Sequence, residues 1–499
     1  MAPLWVTMRL MRTPTLALLL IVAGCAGSSL PDPLAMDEPT FERELASRFQ
    51  YGPPDPRPAE IEDQGAGQVA DAAYLAAFPQ FDRAYSPAAR AEAQRLLTQL
   101  WADAGSLSHE QFVLRVAEIA ALADNGHTSI SENAFKKNTP RLPLRTYQFF
   151  DGLYVVWASP EHAELLGARI DTIDGRTVET VRAGLRRYAG GTEAHRQRML
   201  APVLESPDLL QAAGLAASRD ALTLRGVLAS GAPFDRRVPA EERDRAAWVS
   251  SSQRLLFPAA ADGRMRSFLS EDAALPVYLN HRTELFSLEE LPDHGLYIGI
   301  DHNGDSDEMP IAEFLERVIT RVHAERPAYL VVDMRMNGGG DYTTTYAFAH
   351  ELPTTANGAP IYVLTSPWTF SAAITTVAAL KDAGGDQVKI VGEAVGDRLD
   401  FWAEGGSFDL PNAFVQVHYA SGRHVYDGPC RDRATCFWLN ERYPVRVRTL
   451  QPDIEAPLTF AAYRALRDPA RLPHRDGLHG LGHHAASPAP DGRGERHAG

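Results

Sequence analysis

An α/β fold around a mainly parallel sheet is predicted by two features of this sequence. Between about 295 and 468, short apolar runs alternate with stretches of helical spacing, and glycine-rich turns lie where a run gives way to a helix. Such strands pair most simply in parallel, because each helix carries the chain back across the sheet face. In order, 296–300 (LYIGI) reads as a strand and 310–324 as a helix. The next strand is 328–333 (AYLVVD), followed by the turn Asn337-Gly338-Gly339-Gly340 and a helix through Leu352. Strand 361–365, helix 371–381 and strand 388–391 complete the series.

Upstream, Ser86-Pro87 supplies an N-cap and a proline at the first helical position, starting a helix to about Asp103. Ser108 and Gln111 fit a capping box, and Phe112, Val116, Ile119 and Ala120 then share one helical face. That helix stops at Asp124-Asn125-Gly126, which puts His127 on a turn. Within 142–231, strand 153–157, a short helix after Ser159-Pro160, strand 168–173 and the turn Asp174-Gly175 describe an α+β unit.

The chain of 499 residues implies about three units at roughly 100–200 residues per domain. With 45% hydrophobic and 23% charged residues it has the apolar content of an ordinary globular enzyme. A net charge of -15, without a basic cluster carrying aromatics, excludes nucleic acid as a natural partner. Arg9 and Arg12 precede an apolar run, 16–23, that is too short to span a membrane and suits an export signal. The run ends in VAGC, which resembles a bacterial lipobox, so 1–25 is expected to be a lipoprotein signal peptide with Cys25 lipid-modified. Ala26 and Gly27 lack the aspartate that signals inner-membrane retention, which favours the outer membrane, facing the periplasm. In an exported chain Cys430 and Cys436 are expected to form a disulfide.

Composition divides the rest. Residues 26–71, rich in Pro, Gly and acidic side chains, are expected to be a flexible tether, and 72–141 an N-terminal helical region carrying His127. Residues 232–294 connect to the core at 295–468, and 469–499 are expected to be a disordered tail. The acidic stretch 301–307 has carboxylates at calcium-loop spacing, but Ser306 replaces the glycine and Ala312 the bidentate glutamate that such a loop needs. No metal or cofactor is expected.

Two strand-turn-helix units converge on a plausible chemistry. Ser371 opens a helix, where the dipole and free N–H groups stabilise negative charge, and side-chain-free Gly338 to Gly340 let backbone amides approach a carbonyl. VVDMRMNGGG (331–340), TFSAAITTVAALKD (369–382) and IVGEAVGD (390–397) resemble the three core motifs of the tail-specific and C-terminal-processing serine peptidases of the ClpP/crotonase superfamily. ADNGHTSI (123–130) and LQPDIEAPLTFAAYRALRDP (450–469) resemble further stations in the same order. LLGARIDTIDGRTVETV (165–181) resembles the strand, turn and helix of a PDZ domain, giving a PDZ-like reading of 142–231.

The resemblance implies Ser371 as nucleophile and the amides of Gly339 and Ala372 as oxyanion donors. In the processing branch a lysine base stands where this chain has Arg398, and arginine does not give up its proton. The tricorn-type branch uses a histidine, which implies His127 as general base, with an imidazole near neutrality. Asp427, Glu393 and Glu441, in that order, are the candidates for the acid that orients it. The implied activity is a serine endopeptidase acting on proteins or peptides of the cell envelope. The alternative is a non-catalytic peptide- or ligand-binding protein on the same fold.

Overall fold

The computed structural model describes residues 32–53, 57–137, 139–241, 252–258, 264–270, 273–280 and 284–470. Cys25 and its signal peptide, and the tail from 471 onward, lie outside the described residues.

The centre of the molecule is a six-stranded sheet in the order Ile454–Glu455, Val388–Gly392, Ile361–Thr365, Tyr329–Asp333, Gly295–Ile300, Phe286–Leu291. All neighbours run parallel except Phe286–Leu291, which closes one edge antiparallel. Every residue of Gly295–Ile300 is buried, as a strand covered on both faces must be. Helices Ile311–Glu325, Thr343–Thr355 and Ala372–Gly384 make the crossovers and bury Val318, Val322, Leu352, Val377 and Leu380 against the sheet. The glycine turn and Ser371 both follow carboxyl ends of parallel strands, where an open α/β sheet leaves its crevice.

The α+β unit is an antiparallel sheet, Leu144–Phe149, Gly152–Ala158, Arg169–Ile173, Ala221–Val227 and Pro233–Pro239, with helix Val178–Leu185 packed on it. Strand Pro233–Pro239 pairs along its whole length with Ala221–Val227, so this unit extends beyond 231. Phe286–Leu291 likewise belongs to the central sheet, which corrects the reading of 232–294 as a mere connection.

The N-terminal helices Pro87–Asp103 and His109–Ala121 start at the caps the sequence marks, including the reciprocal Ser108/Gln111 box. Strand Ser129–Ile130 after them pairs with Val415–Tyr419, part of a hairpin returning from the half of the chain that carries the central sheet. The core at 295–468 is therefore not self-contained: Phe408, Val415 and Val417 are packed with the N-terminal helices.

The expected tether is also corrected. Glu38–Phe49 and Gln64–Leu75 are helices, each with an aspartate N-cap. Phe41, Leu45 and Phe49 form a stripe buried against Tyr342, Ala372, Phe437 and Trp438. Their i, i+4, i+8 spacing outweighs the surrounding prolines, because it gives one short helix a continuous apolar face.

Candidate active site

Ser371 caps the helix Ala372–Gly384 with φ 56° and ψ -129°, a backbone conformation that side-chain-bearing residues rarely adopt. The loop before it holds this turn in place. Phe370 N donates to Asn337 O at 3.1 Å, Thr369 Oγ1 to Met334 O at 2.8 Å, and Ser366 Oγ to Arg335 O at 2.6 Å. These bonds lock the serine loop to the glycine turn of the neighbouring strand. Beneath it, buried Asn303 donates to Thr345 Oγ1 at 2.9 Å and Thr376 Oγ1 at 2.8 Å, joining the two crossover helices.

Gly339 lies directly against the serine. A Cβ there would sit 2.6 Å from Ser371 Cβ and 3.2 Å from its Oγ, and the residue has φ +116°, so only glycine fits without displacement. Its N–H donates to Asn337 Oδ1 at 2.9 Å and is engaged in this structure. Ala372, as the first helical residue, holds an N–H outside the helix ladder.

His127 stands on the turn after Asp124, which has φ 48°. Its ring stacks on Phe370, centroids 4.4 Å apart, and on Phe401 at 5.5 Å. His195 stacks on Phe370 at 5.0 Å and His424 on Phe401 at 4.9 Å, so the imidazole lies within a column of flat rings. The preceding Gly126 is required by proximity, since a Cβ there would meet Asp397 Oδ2 at 2.8 Å and the Phe370 ring at 2.9 Å.

Asp397 is the acid beside this histidine. Its Oδ2 is 3.8 Å from His127 Nδ1, and its other oxygen accepts from Arg398 N at 2.8 Å. Asp397 Oδ2 and both His127 ring nitrogens are buried without a hydrogen bond. Ser371 Oγ therefore does not donate to the imidazole here. Burial pushes the Asp397 carboxyl up to about 6 and the His127 imidazole down to about 3, the latter helped by the positive field of neighbouring groups including Arg198. This corrects the expectation of an imidazole near neutrality: enclosed between rings, it disfavours its charged form. At neutral pH the pair is a carboxylate beside a neutral imidazole.

The three acids expected from the sequence lie elsewhere. Glu441 pairs with Arg433 at 2.9 Å, Asp427 is exposed, and Glu393 lines a cavity beyond Trp368. Asp397 was missed although it ends the motif IVGEAVGD; the glycine before it and the arginine after it were the available signal. Arg398 turns to the histidine loop, donating to Asp124 O at 2.7 Å and Asp124 Oδ2 at 2.8 Å. It fixes the turn that carries His127. Cys430 and Cys436 are joined by a disulfide in the loop after Asp427. Among the described residues no cluster of three or more His, Cys, Asp or Glu is arranged to hold a metal ion.

Comparison with protein families and with curated proteins gave no match. Among solved structures, the chain is similar to mature CPAF complexed with lactacystin, with a TM-score of 0.49 and 15% identity over 81% of this chain and 96% of that one. It is also similar to a photosystem II D1 C-terminal processing protease, TM-score 0.33 and 14% identity over 79% and 93% of the two chains. A protein described as an S41 protease from Bacteroides fragilis has a TM-score of 0.29 and 13% identity, covering 69% of this chain and 82% of its own.

Proposed function

We propose that this chain is a serine endopeptidase of the tail-specific family, tricorn-type branch, with a ClpP/crotonase-like core. The observation that carries the reading is the Ser371 backbone, held at positive φ against Gly339, one residue from the ring on which a half-buried His127 and a buried Asp397 are assembled. Strain of this kind persists only where the surroundings over-determine it, as at a nucleophile presented for attack.

In the proposed mechanism Ser371 Oγ attacks the peptide carbonyl while His127 takes its proton. The ionised Asp397 and the developing oxyanion both raise the proton affinity of the imidazole as the reaction proceeds. Ala372 N–H holds the oxyanion. Gly339 N–H joins it once the substrate carbonyl replaces Asn337 Oδ1 as acceptor. The imidazolium then returns its proton to the departing amine, and water releases the acyl group by the same steps in reverse. The PDZ-like unit, from 142 through strand Pro233–Pro239, helps select the substrate.

A fluorophosphonate probe tests the nucleophile. It should label the folded protein at Ser371, with labelling lost in Ser371→Ala and reduced in Gly339→Ala, whose new Cβ presses on the serine. A folded protein inert to the probe would favour the non-catalytic binder.

We further propose that the enzyme is anchored through Cys25, lipidated at the VAGC site, and that Ala26 and Gly27 direct it to the outer membrane facing the periplasm. No helix among the described residues is long and apolar enough to cross a membrane, and a lipid anchor would supply the attachment. Cys25→Ser should move the protein out of the membrane fraction; unchanged fractionation would refute the anchor.

A further inference from the structure

Behind the loop that delivers Ser371 lies a cavity of about 280 Å³, walled by Arg198, Tyr147, Gln148, Trp368 and Glu393 among others. Arg198 is carried on the helix Glu193–Leu200, whose N-cap Thr192 donates to Gly396 O at 2.8 Å, next to the candidate acid Asp397. The guanidinium lies 4.9 Å from the Trp368 ring centroid and 4.7 Å from that of Phe370, the residues that lead directly into Ser371. One Nη is 2.9 Å from His195 Nδ1, and the buried Nε has no hydrogen bond.

The buried Arg335 and Arg141 are each paired with carboxylates, Arg335 with Asp333 and Asp468 and Arg141 with Glu205. Among the described residues Arg198 forms no ion pair. A guanidinium keeps its charge even where burial disfavours it, and the Glu132 and Asp397 carboxylates offset that cost only through their field, without an ion pair. The aromatic faces compensate only in part. Gln148 in the cavity wall accepts from Arg182 at 2.6 Å, which brings a second guanidinium near the cavity.

We infer that this cavity is a subsite for a substrate carboxylate, with Arg198 as its specificity-determining residue. The inference rests on the peptidase reading of Ser371. Because Trp368 and Phe370 adjoin the serine, the carboxylate belongs to a substrate residue close to the scissile bond. It is supplied by an aspartate or glutamate side chain or by the terminus of the substrate chain. Glu393 is the acidic residue in the cavity wall, and burial raises its carboxyl above the usual range, which lessens its repulsion of an anion.

The test measures binding to full-length Ser371→Ala protein, so that it does not depend on turnover. Three labelled peptides of one alanine- and leucine-rich sequence serve as probes: one with a free C-terminus, one amidated with a single glutamate, and one amidated and neutral. A carboxylate peptide should bind roughly tenfold or more tighter than the neutral one, the scale of a charge-assisted hydrogen bond. Whichever carboxylate peptide binds tighter identifies the source. The difference should vanish in Arg198→Gln, survive in part in Arg198→Lys, and grow in Glu393→Gln. The lysine and glutamate variants keep the test decisive if Arg198→Gln fails to fold. Equal binding of all three peptides, or a preference unchanged by Arg198→Gln in a folded variant, would overturn the subsite. Arg198-dependent binding in a protein whose wild type cleaves no peptide would uphold the subsite and remove the peptidase reading instead.

Discussion

At the scale of single residues, the proposed site turns on two groups that burial pushes in opposite directions, Asp397 upward and His127 downward. As pH falls through about 6, the carboxylate takes up a proton and loses the charge that would stabilise an imidazolium. Activity should therefore fall with decreasing pH along a limb centred near that value. Asp397→Asn should remove the limb and lower turnover by roughly three to four orders of magnitude, as the loss of an orienting carboxylate does in a Ser-His-Asp triad. A pH-rate profile of the variant that matched the wild type would exclude Asp397 from the mechanism. The sequence singles out Ser371 and His127 as candidates because each sits at a turn within a recognisable motif. Asp397 was not, because its importance lies in distance. The 3.8 Å approach to His127 joins residues far apart in the chain, and Arg398 beside it drew attention as a substituted base.

At the scale of elements, local rules read well. The caps at Ser86 and Ser108 start helices at the expected residues, and strand Ile361–Thr365 has the predicted limits. The helix Glu38–Phe49 was obscured by the prolines and acidic residues around it, since composition averages over a stripe of three buried side chains. Its contacts with Ala372 and Tyr342 tie it to the start of the serine helix. Phe49 is fully buried, so Phe49→Ala should lower stability by roughly 3–5 kcal/mol, measured by urea unfolding. A flexible tether would show no change.

At the scale of the molecule, the site exists only because the chain returns on itself. The turn bearing His127 belongs to the N-terminal helices, while Ser371 and Asp397 belong to the central sheet and its loops. Among the contacts that join these parts are the pairing of Ser129–Ile130 with Val415–Tyr419 and the grip of Arg398 on Asp124. A reading of consecutive domains could not show this, because long-range pairing leaves no periodic mark in either segment. The central claim is that these separated residues act as one unit. Peptide turnover by Ser371→Ala, His127→Ala and the double variant tests it most directly. Groups that serve the same step lose activity non-additively, so each single substitution should cost several orders of magnitude and the double variant should be little worse than either. Wild-type turnover in His127→Ala, or single losses that multiply in the double variant, would contradict the account.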